Sequence, residues 1–368
     1  MTATVVVVGG GYGGVTAAQA LDPDADVVLV EPKDAFVHNV AALRATVDMN
    51  WADQLFYPYD RLLKRGRVLR EWVVSVDPQG VQLATGTRIR ADYVVIATGT
   101  SYPPPAKVDT IHAAQARTFY HNLTRSLYDA RRILLLGAGP VGLELAGEIN
   151  AQWPDKLVTI LEPAADILSR SFVVGFKREA AATLRLELHR QLDALGIEVI
   201  LGTSLREQIP TPPGQTRTFT ATTWSGRNIT ADIWFQCHGR RPAADIMSAS
   251  LDYAKRQDGY LTVDDDLRLP GQSNVFAIGD VAATHGIDSA VVAMEQGELV
   301  ADNIRRLMAG DRRLKPYQPN QPLFLIPLGP KGGVSYSPDG AILDAETTSQ
   351  FKGSDLFTAK YRETFGLD

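Results

Sequence analysis

Val5-Val6-Val7-Val8-Gly9-Gly10-Gly11-Tyr12-Gly13-Gly14, residues 5–14, decides the fold. Four consecutive β-branched residues predict a strand buried on both faces. Gly9, Gly11 and Gly14 then fit G-x-G-x-x-G, and the small residues that follow predict a helix through Leu21, ended by Asp22-Pro23. Each glycine has its own task. The first permits a tight turn, the second lets the backbone approach a pyrophosphate, and the third lets helix and strand pack closely. A pyrophosphate then rests on the free N–H groups at the positive end of the helix. Asp26 to Val30 reads as the next strand. Glu31 closes it, where a carboxylate accepts hydrogen bonds from an adenosine ribose. Strand, turn, helix and acid in one frame predict a dinucleotide clamp rather than a ligand-free glycine turn.

The unit occurs twice. Arg132 to Leu136 reads as an apolar strand, Gly137-Ala138-Gly139-Pro140-Val141-Gly142 as a second glycine turn, Leu143 to Asn150 as its helix, and Leu157 to Leu161 as the following strand. Glu162 ends that strand. A carboxylate there accepts from both ribose hydroxyls and repels a 2′-phosphate, so NADH is favoured over NADPH; Arg170, nearby in sequence, works against that preference. Two clamps fit two carriers, one a fixed flavin and the other an exchangeable nicotinamide, whose hydride chemistry the protein serves by placement.

Outward from the clamps, Val68 to Val76 and Val81 to Arg90 read as strands of a β-meander. Ala91 to Gly99 is an apolar strand ending in Ala97-Thr98-Gly99, and Ile233 to Cys237 is a similar strand ending in His238-Gly239. A third apolar run ends in Gly279-Asp280, ahead of a long helix from about Ser289 to Met308. An Asp at a strand end can accept hydrogen bonds from a polyol such as ribityl, or it can sit in an ordinary turn. The fold class expected is α/β, with two Rossmann-like domains, the second inserted in the first. Residues 1–115 with 245–315 form one, 116–244 the other, and 316–368 a small C-terminal α+β module.

Composition excludes several classes. The net charge of −5 gives no support to a nucleic-acid partner. One cysteine, Cys237, excludes an intramolecular disulfide, a redox dithiol and a zinc site built on several cysteines, and no metal is expected. No stretch of about 18 apolar residues predicts a membrane span, and the opening residues lack a signal peptide's charged and apolar regions. With Thr2 in second position the N-myristoylation signal is missing as well. The expected location is the cytoplasm, with peripheral contact at a membrane surface left open.

In order along the chain, Gly9–Gly14, Ala97-Thr98-Gly99, Gly137–Gly142, His238-Gly239-Arg240-Arg241-Pro242 and Gly279-Asp280 resemble the FAD-dependent pyridine-nucleotide oxidoreductase superfamily. The segment from Glu31 through Pro32, Lys33 and His38 to Arg44 is similar to the apoptosis-inducing-factor family, in its quinone-reducing branch. The resemblance implies non-covalent FAD, NADH or NADPH as hydride donor, and a quinone as acceptor. It places the FAD pyrophosphate on Gly9, Gly10, Gly11, Tyr12 and Gly13, and the ribose on Glu31. It makes Arg44 a flavin-nucleotide contact, sets Val73 beside adenine, and puts Asp280 on ribityl. Glu144 falls near the nicotinamide. Pro32, Lys33, Ala97, Thr98, Gly99, Gly137, Gly139, Pro140, Val141, Gly142, Glu162, Gly239 and Gly279 complete the expected cofactor-binding set. The disulfide-reducing members are set aside, because Cys237 has no partner.

Other residues carry two readings each. His38 can pass a proton to a reduced quinone, its ordinary pKa near 6.5 suiting that work, or can be structural; His285 is treated alike. Lys33 pairs with FAD or is a solvated loop lysine. Cys237 is read as a buried small hydrophobe. Phe357, Tyr361 and Phe365 share one helical face, beside Lys360 and Arg362, which either dips into a membrane surface or packs on its own domain or a partner subunit such as a second copy. The expected cycle is ping-pong, NADH to flavin and flavin to quinone. Three alternatives stay open: an acceptor that is a small redox protein or oxygen, a slow-turnover NADH-sensing binding protein, and a scaffold without FAD.

Overall fold

A computed structural model describes residues 2–173, 175–284, 288–319 and 323–367, without the side chains of Arg170 and Ser171. His285 and the Arg170 side chain therefore lie outside the described residues.

Two parallel sheets dominate. The first runs Val275–Ala277, Tyr93–Ile96, Thr4–Val8, Asp26–Val30, Arg67–Leu69. The second runs Glu198–Leu201, Leu157–Glu162, Arg132–Leu136, Ile233–Gln236. In each, the strand that feeds the glycine turn is central and register-matched on both sides, with Val5 to Val8 against Val27 to Val30 and Tyr93 to Ile96. Val5, Val6 and Val7 have no exposed surface, which explains a β-branched run with no polar alternation.

The chain leaves the first sheet after Ile96, builds the second, and returns to the first with Val275–Ala277. The returning segment also supplies helix Ala290–Met308, capped by Ser289, whose Oγ accepts from Val292 N. This helix packs on Tyr12–Leu21 through glycines. A Cβ on Gly13 would lie 2.8 Å from the Ala293 carbonyl oxygen, and one on Gly297 would lie 2.7 Å from that of Gly13.

The expected strand from Val68 to Val76 is two strands. Arg67–Leu69 pairs parallel with Val28 to Val30, while Val73–Asp77 turns away into an antiparallel meander with Gly80–Leu83 and Arg88–Arg90. Edge pairing to the parallel sheet takes the first half, a long-range choice that local composition does not encode.

A hairpin of Phe324–Leu328 and Gly332–Tyr336, joined by Ile342–Leu343, packs on helix Pro140–Gln152. Gly147 makes this possible, since a Cβ there would run into the Leu328 backbone. Residues 349–365 then cross from this hairpin to the first domain. Helix Thr358–Thr364 presents Tyr361 and Phe365 inward, 5% and 1% exposed, against Phe36 and Tyr57. That face packs on its own domain, and the membrane-dipping reading of it does not hold. No described helix is long and apolar enough to cross a membrane.

Candidate functional site

At the first turn Gly9 has φ +102°, where only glycine is unstrained, and a Cβ on Gly14 would collide with the Gly9 carbonyl oxygen. Gly11 caps the helix, and a Cβ built there would have no atom within 4 Å. Glu31 is buried, its Oε2 accepting from Gly10 N at 2.7 Å and its Oε1 from Lys33 N at 3.0 Å. A carboxylate has about four acceptor sites, so two remain for ribose hydroxyls. Lys33 Nζ stands 3.8 Å from Glu31 Oε1, and Pro32 is half-buried between them. Tyr59 OH donates to the Gly10 carbonyl at 2.7 Å. An open space before unpaired helix N–H groups, with a buried acid at its edge, fits an FAD adenosine diphosphate.

The neighbouring strand ends complete this groove. Ala97 N bonds to Val8 O, Thr98 Oγ1 donates to Ala243 O at 2.7 Å, and Gly99 turns with φ +63°. Gly279, φ +68°, donates its N–H to Gln296 Oε1 at 2.7 Å, leaving Asp280 partly exposed. Asp280 Oδ2 accepts from Thr100 Oγ1 at 3.0 Å, with Lys107 Nζ at 3.7 Å. Burial holds the Lys107 ammonium below its usual range, with Asp280 opposing. Val73 is buried in the core shared by sheet and meander, beside Val6 and Val28.

The second turn repeats the first closely. Gly137 has φ +112°, and a Cβ on Gly142 would collide with its carbonyl oxygen. Glu162 Oε2 accepts from Ala138 N at 2.8 Å and Oε1 from Ala164 N at 2.9 Å. Pro140 sits at the first helical position, which needs no N–H. Cys237 is buried as a small hydrophobe, and burial pushes its thiol up to about 12. Gly239, φ +99°, follows His238.

This turn opens into a cavity of about 920 Å³, lined by Gly137, Gly139, Pro140, Val141, Glu162 and Gly239. The same cavity reaches Ala282–Thr284 and the cap of helix Ala290–Met308, just past Asp280. Its floor is Glu144, whose Oε1 accepts from Lys352 Nζ at 2.7 Å. Burial raises the Glu144 pKa, and Lys352 opposes it. Arg240 pairs with Asp288 at 2.7 Å on the opposite wall, where burial raises the Asp288 pKa. At the mouth stand apolar Val291, Leu323 and Phe351, 41%, 41% and 55% exposed.

Two expected site residues are elsewhere. His38 has no exposed surface; Nε2 donates to Leu356 O at 2.6 Å, and Nδ1 meets Tyr12 OH at 3.1 Å. Burial lowers its pKa to about 4. With both nitrogens engaged and no water contact, it is a strut, not a proton shuttle. Arg44 is likewise committed. It forms a two-pronged ion pair with Glu148, at 2.8 and 3.0 Å, and donates to the carbonyls of Gly353 and Ser354. Its guanidinium ties the two domains to the C-terminal segment and offers little to a flavin nucleotide.

Lys352, Lys107, Asp288 and Phe172 enter the site without a sequence signal of their own. Only the Asp355-Leu356-Phe357 stretch, three residues beyond Lys352, hinted that this region mattered. Among the described residues no group of three His, Cys, Asp or Glu side chains is placed to hold a metal ion.

Residues 3–297 match the family described as Pyridine nucleotide-disulphide oxidoreductase. Ferroptosis suppressor protein 1 of Taeniopygia guttata is 31% identical over 368 residues, covering 98% of this chain and 95% of that protein. The Homo sapiens protein of the same name is 30% identical, covering 90% and 87%. Among solved structures, the sulfide:quinone oxidoreductase of Aquifex aeolicus aligns with a TM-score of 0.76 at 18% identity, over 99% of this chain and 91% of that one. NDH2 from Plasmodium falciparum in complex with NADH aligns at 0.72 and 13% identity, over 95% and 93%. At such identities these two speak for the fold alone. The chain belongs to the pyridine nucleotide-disulphide oxidoreductase family, and it is an FAD-dependent oxidoreductase that draws its electrons from a reduced nicotinamide nucleotide.

Proposed function

We propose that the protein is an NADH:quinone reductase. The observation that carries this reading is one continuous cavity. It runs from the second clamp to Ala282–Thr284, the segment that follows Asp280, and opens through an apolar mouth of Val291, Leu323 and Phe351. An acceptor with an apolar ring or tail suits such a mouth better than a charged protein surface does. The name of the structural neighbour from Aquifex aeolicus, a sulfide:quinone oxidoreductase, lends support in the same direction.

In this reading residues 1–115 with 245–315 hold FAD, 116–244 hold NADH, and 316–368 close the cavity. Gly9 to Gly14, through the helix N–H groups, hold the FAD pyrophosphate. Glu31 takes the ribose and Asp280 the ribityl chain; Pro32, Lys33 and Ala97–Gly99 form the groove around them. Gly137 to Gly142 take the NADH pyrophosphate, and Glu162 the ribose hydroxyls. Bound FAD supplies acceptance of hydride from the nicotinamide and delivery of two electrons to the acceptor. The protein's share is placement, worth roughly 7–11 kcal/mol for well-held reactants. Glu144 and Lys352 are charged groups of the cavity floor. Lys352 Nζ, 2.7 Å from Glu144 Oε1, lines the cavity with it, whereas His38 is sealed away.

The test is steady-state turnover with NADH against a panel of quinone analogues, ferricyanide, oxygen and a ferredoxin. The expected outcome is the highest kcat/KM with a quinone. A higher value with ferredoxin or oxygen overturns the assignment of the acceptor.

A further inference from the structure

The second glycine of each turn caps its helix with nearly the same backbone. Gly11 has φ −80° and ψ −168°, and Gly139 has φ −78° and ψ −176°. A Cβ built on either therefore points the same way, into the space that the missing side chain leaves for a pyrophosphate. At Gly11 that space is open to 4 Å. At Gly139 it is taken by the ring of Phe172, with Cε2 at 3.1 Å and Cζ at 3.2 Å from the built Cβ.

Phe172 belongs to the short 3-10 turn Arg170–Val173, downstream of the strand that ends in Glu162. It is half-buried and lines the cavity. Its own backbone is held by a bond from Phe172 N to Ser169 O at 2.9 Å. The segment is anchored a few residues on, where Phe176 stacks on Tyr336 at 3.9 Å and Tyr336 OH accepts from Lys177 N at 3.3 Å. The ring makes only apolar contacts, with the glycine turn and with the edge of the core beneath it. Moving it breaks no hydrogen bond, while leaving it in place blocks the approach of a diphosphate to the helix N-terminus.

We propose that Phe172 is a displaceable cover on the second clamp, closed when that clamp is empty and pushed aside by the incoming dinucleotide. This rests on the reading that the second clamp takes the nicotinamide nucleotide. Among the described residues none covers Gly11 of the first clamp in this way, as suits a carrier that stays. The second must release its product in each cycle, and a ring competing for the same space speeds that release. A cover closed in nine molecules of ten weakens apparent affinity about tenfold.

The experiment is calorimetric titration of the oxidised, FAD-loaded protein with NAD+, alongside stopped-flow dissociation. Phe172→Ala is expected to bind about tenfold more tightly and to release NAD+ more slowly, with Phe172→Leu in between and flavin content unchanged. In Phe172→Trp, emission after subtraction of the wild-type signal is expected to shift red on saturation, as the ring moves into water. An unchanged Kd in Phe172→Ala would make the ring a fixed wall. A weaker Kd would make it a platform on which the nucleotide stacks. Either result overturns the cover. If wild type and variants alike fail to bind NAD+, the assignment of the second clamp falls, and the cover with it.

Discussion

The two glycine turns share a backbone but not their surroundings. Each has a left-handed first glycine, a helix capped by the second and an acid accepting from two backbone N–H groups. Past the turns they part. At matching positions the first helix carries Thr16 and Ala20, and the second carries Glu144 and Glu148. The first helix is thus free to pack glycine to glycine on Ala290–Met308. The second brings two buried carboxylates that need cations from elsewhere, Lys352 for one and Arg44 for the other. The turn is shared, and the helix behind it decides whether buried charge stands beside the cavity.

The most severe way to break the comparison is at the third glycine. Gly14→Ala and Gly142→Ala each force a methyl into a carbonyl oxygen, and each should cost more than about 3 kcal/mol. Gly14→Ala is expected to purify colourless or unfolded. Gly142→Ala should keep its yellow colour and lose NAD+ binding, so absorbance at the flavin band and titration with NAD+ separate the two.

Next comes the charge behind the second clamp. Lys352→Met leaves Glu144 buried without a partner, and removing one member of such a pair costs about 3–5 kcal/mol. Burial already raises the Glu144 pKa, so the unpaired carboxyl destabilises the fold most where it is ionised. The drop in Tm should be larger at pH 8 than at pH 6. An equal drop at both would show that Glu144 keeps one protonation state between pH 6 and pH 8.

The first clamp has a pH dependence of its own. Tyr12, whose counterpart in the second turn is Pro140, places its hydroxyl between His38 Nδ1 and Val40 N. His38 has a folded pKa of about 4 against an ordinary 6.5. As pH falls below 6.5 the unfolded chain takes up the proton and the folded one does not. The stabilisation is therefore complete above 6.5 and lost on the way to 4. It amounts to roughly 3 kcal/mol. Urea unfolding at pH 7 and pH 4.5 should show this slope in the wild type and a shallower one in His38→Asn. The same variant should keep quinone turnover if it keeps its flavin, because His38 does not face the cavity.

The smallest effects sharpen the two carboxylate contacts. Asp280→Ala removes a charged acceptor, worth about 1.5–3 kcal/mol, and should weaken FAD retention about ten- to a hundredfold. Glu162→Ala should cut the preference for NADH over NADPH about tenfold by kcat/KM; equal ratios in mutant and wild type would remove Glu162 from donor choice.

What was legible in the sequence was local. Val5 to Val8, both turns, Glu31 and Glu162 sit within one strand–turn–helix unit, so spacing alone places them. What was hidden is long-range. Lys352 meets Glu144 across 208 positions, and His38 meets Leu356 across 318. No local pattern announces such partners. His38 illustrates the limit well, since its neighbourhood in the sequence was distinctive, yet its protonation is set by burial under a distant segment. The strand broken after Leu69 failed for the same reason, as did helices Ala113–Asp129 and Arg178–Ala194, which carry no motif and were not anticipated.

The return of Val275–Ala277 to the first sheet has a consequence for biosynthesis. Strand Tyr93–Ile96 emerges from the ribosome with one edge bare, and Asp92 waits 182 positions for its contact with Asn274. At about 5–20 residues per second that is a delay of roughly 10–35 s. The inserted unit waits longer still, for the hairpin Phe324–Leu328 and Gly332–Tyr336 that completes its core, so neither half is finished until the chain is nearly out, and the open strand edge is where chaperones would be needed.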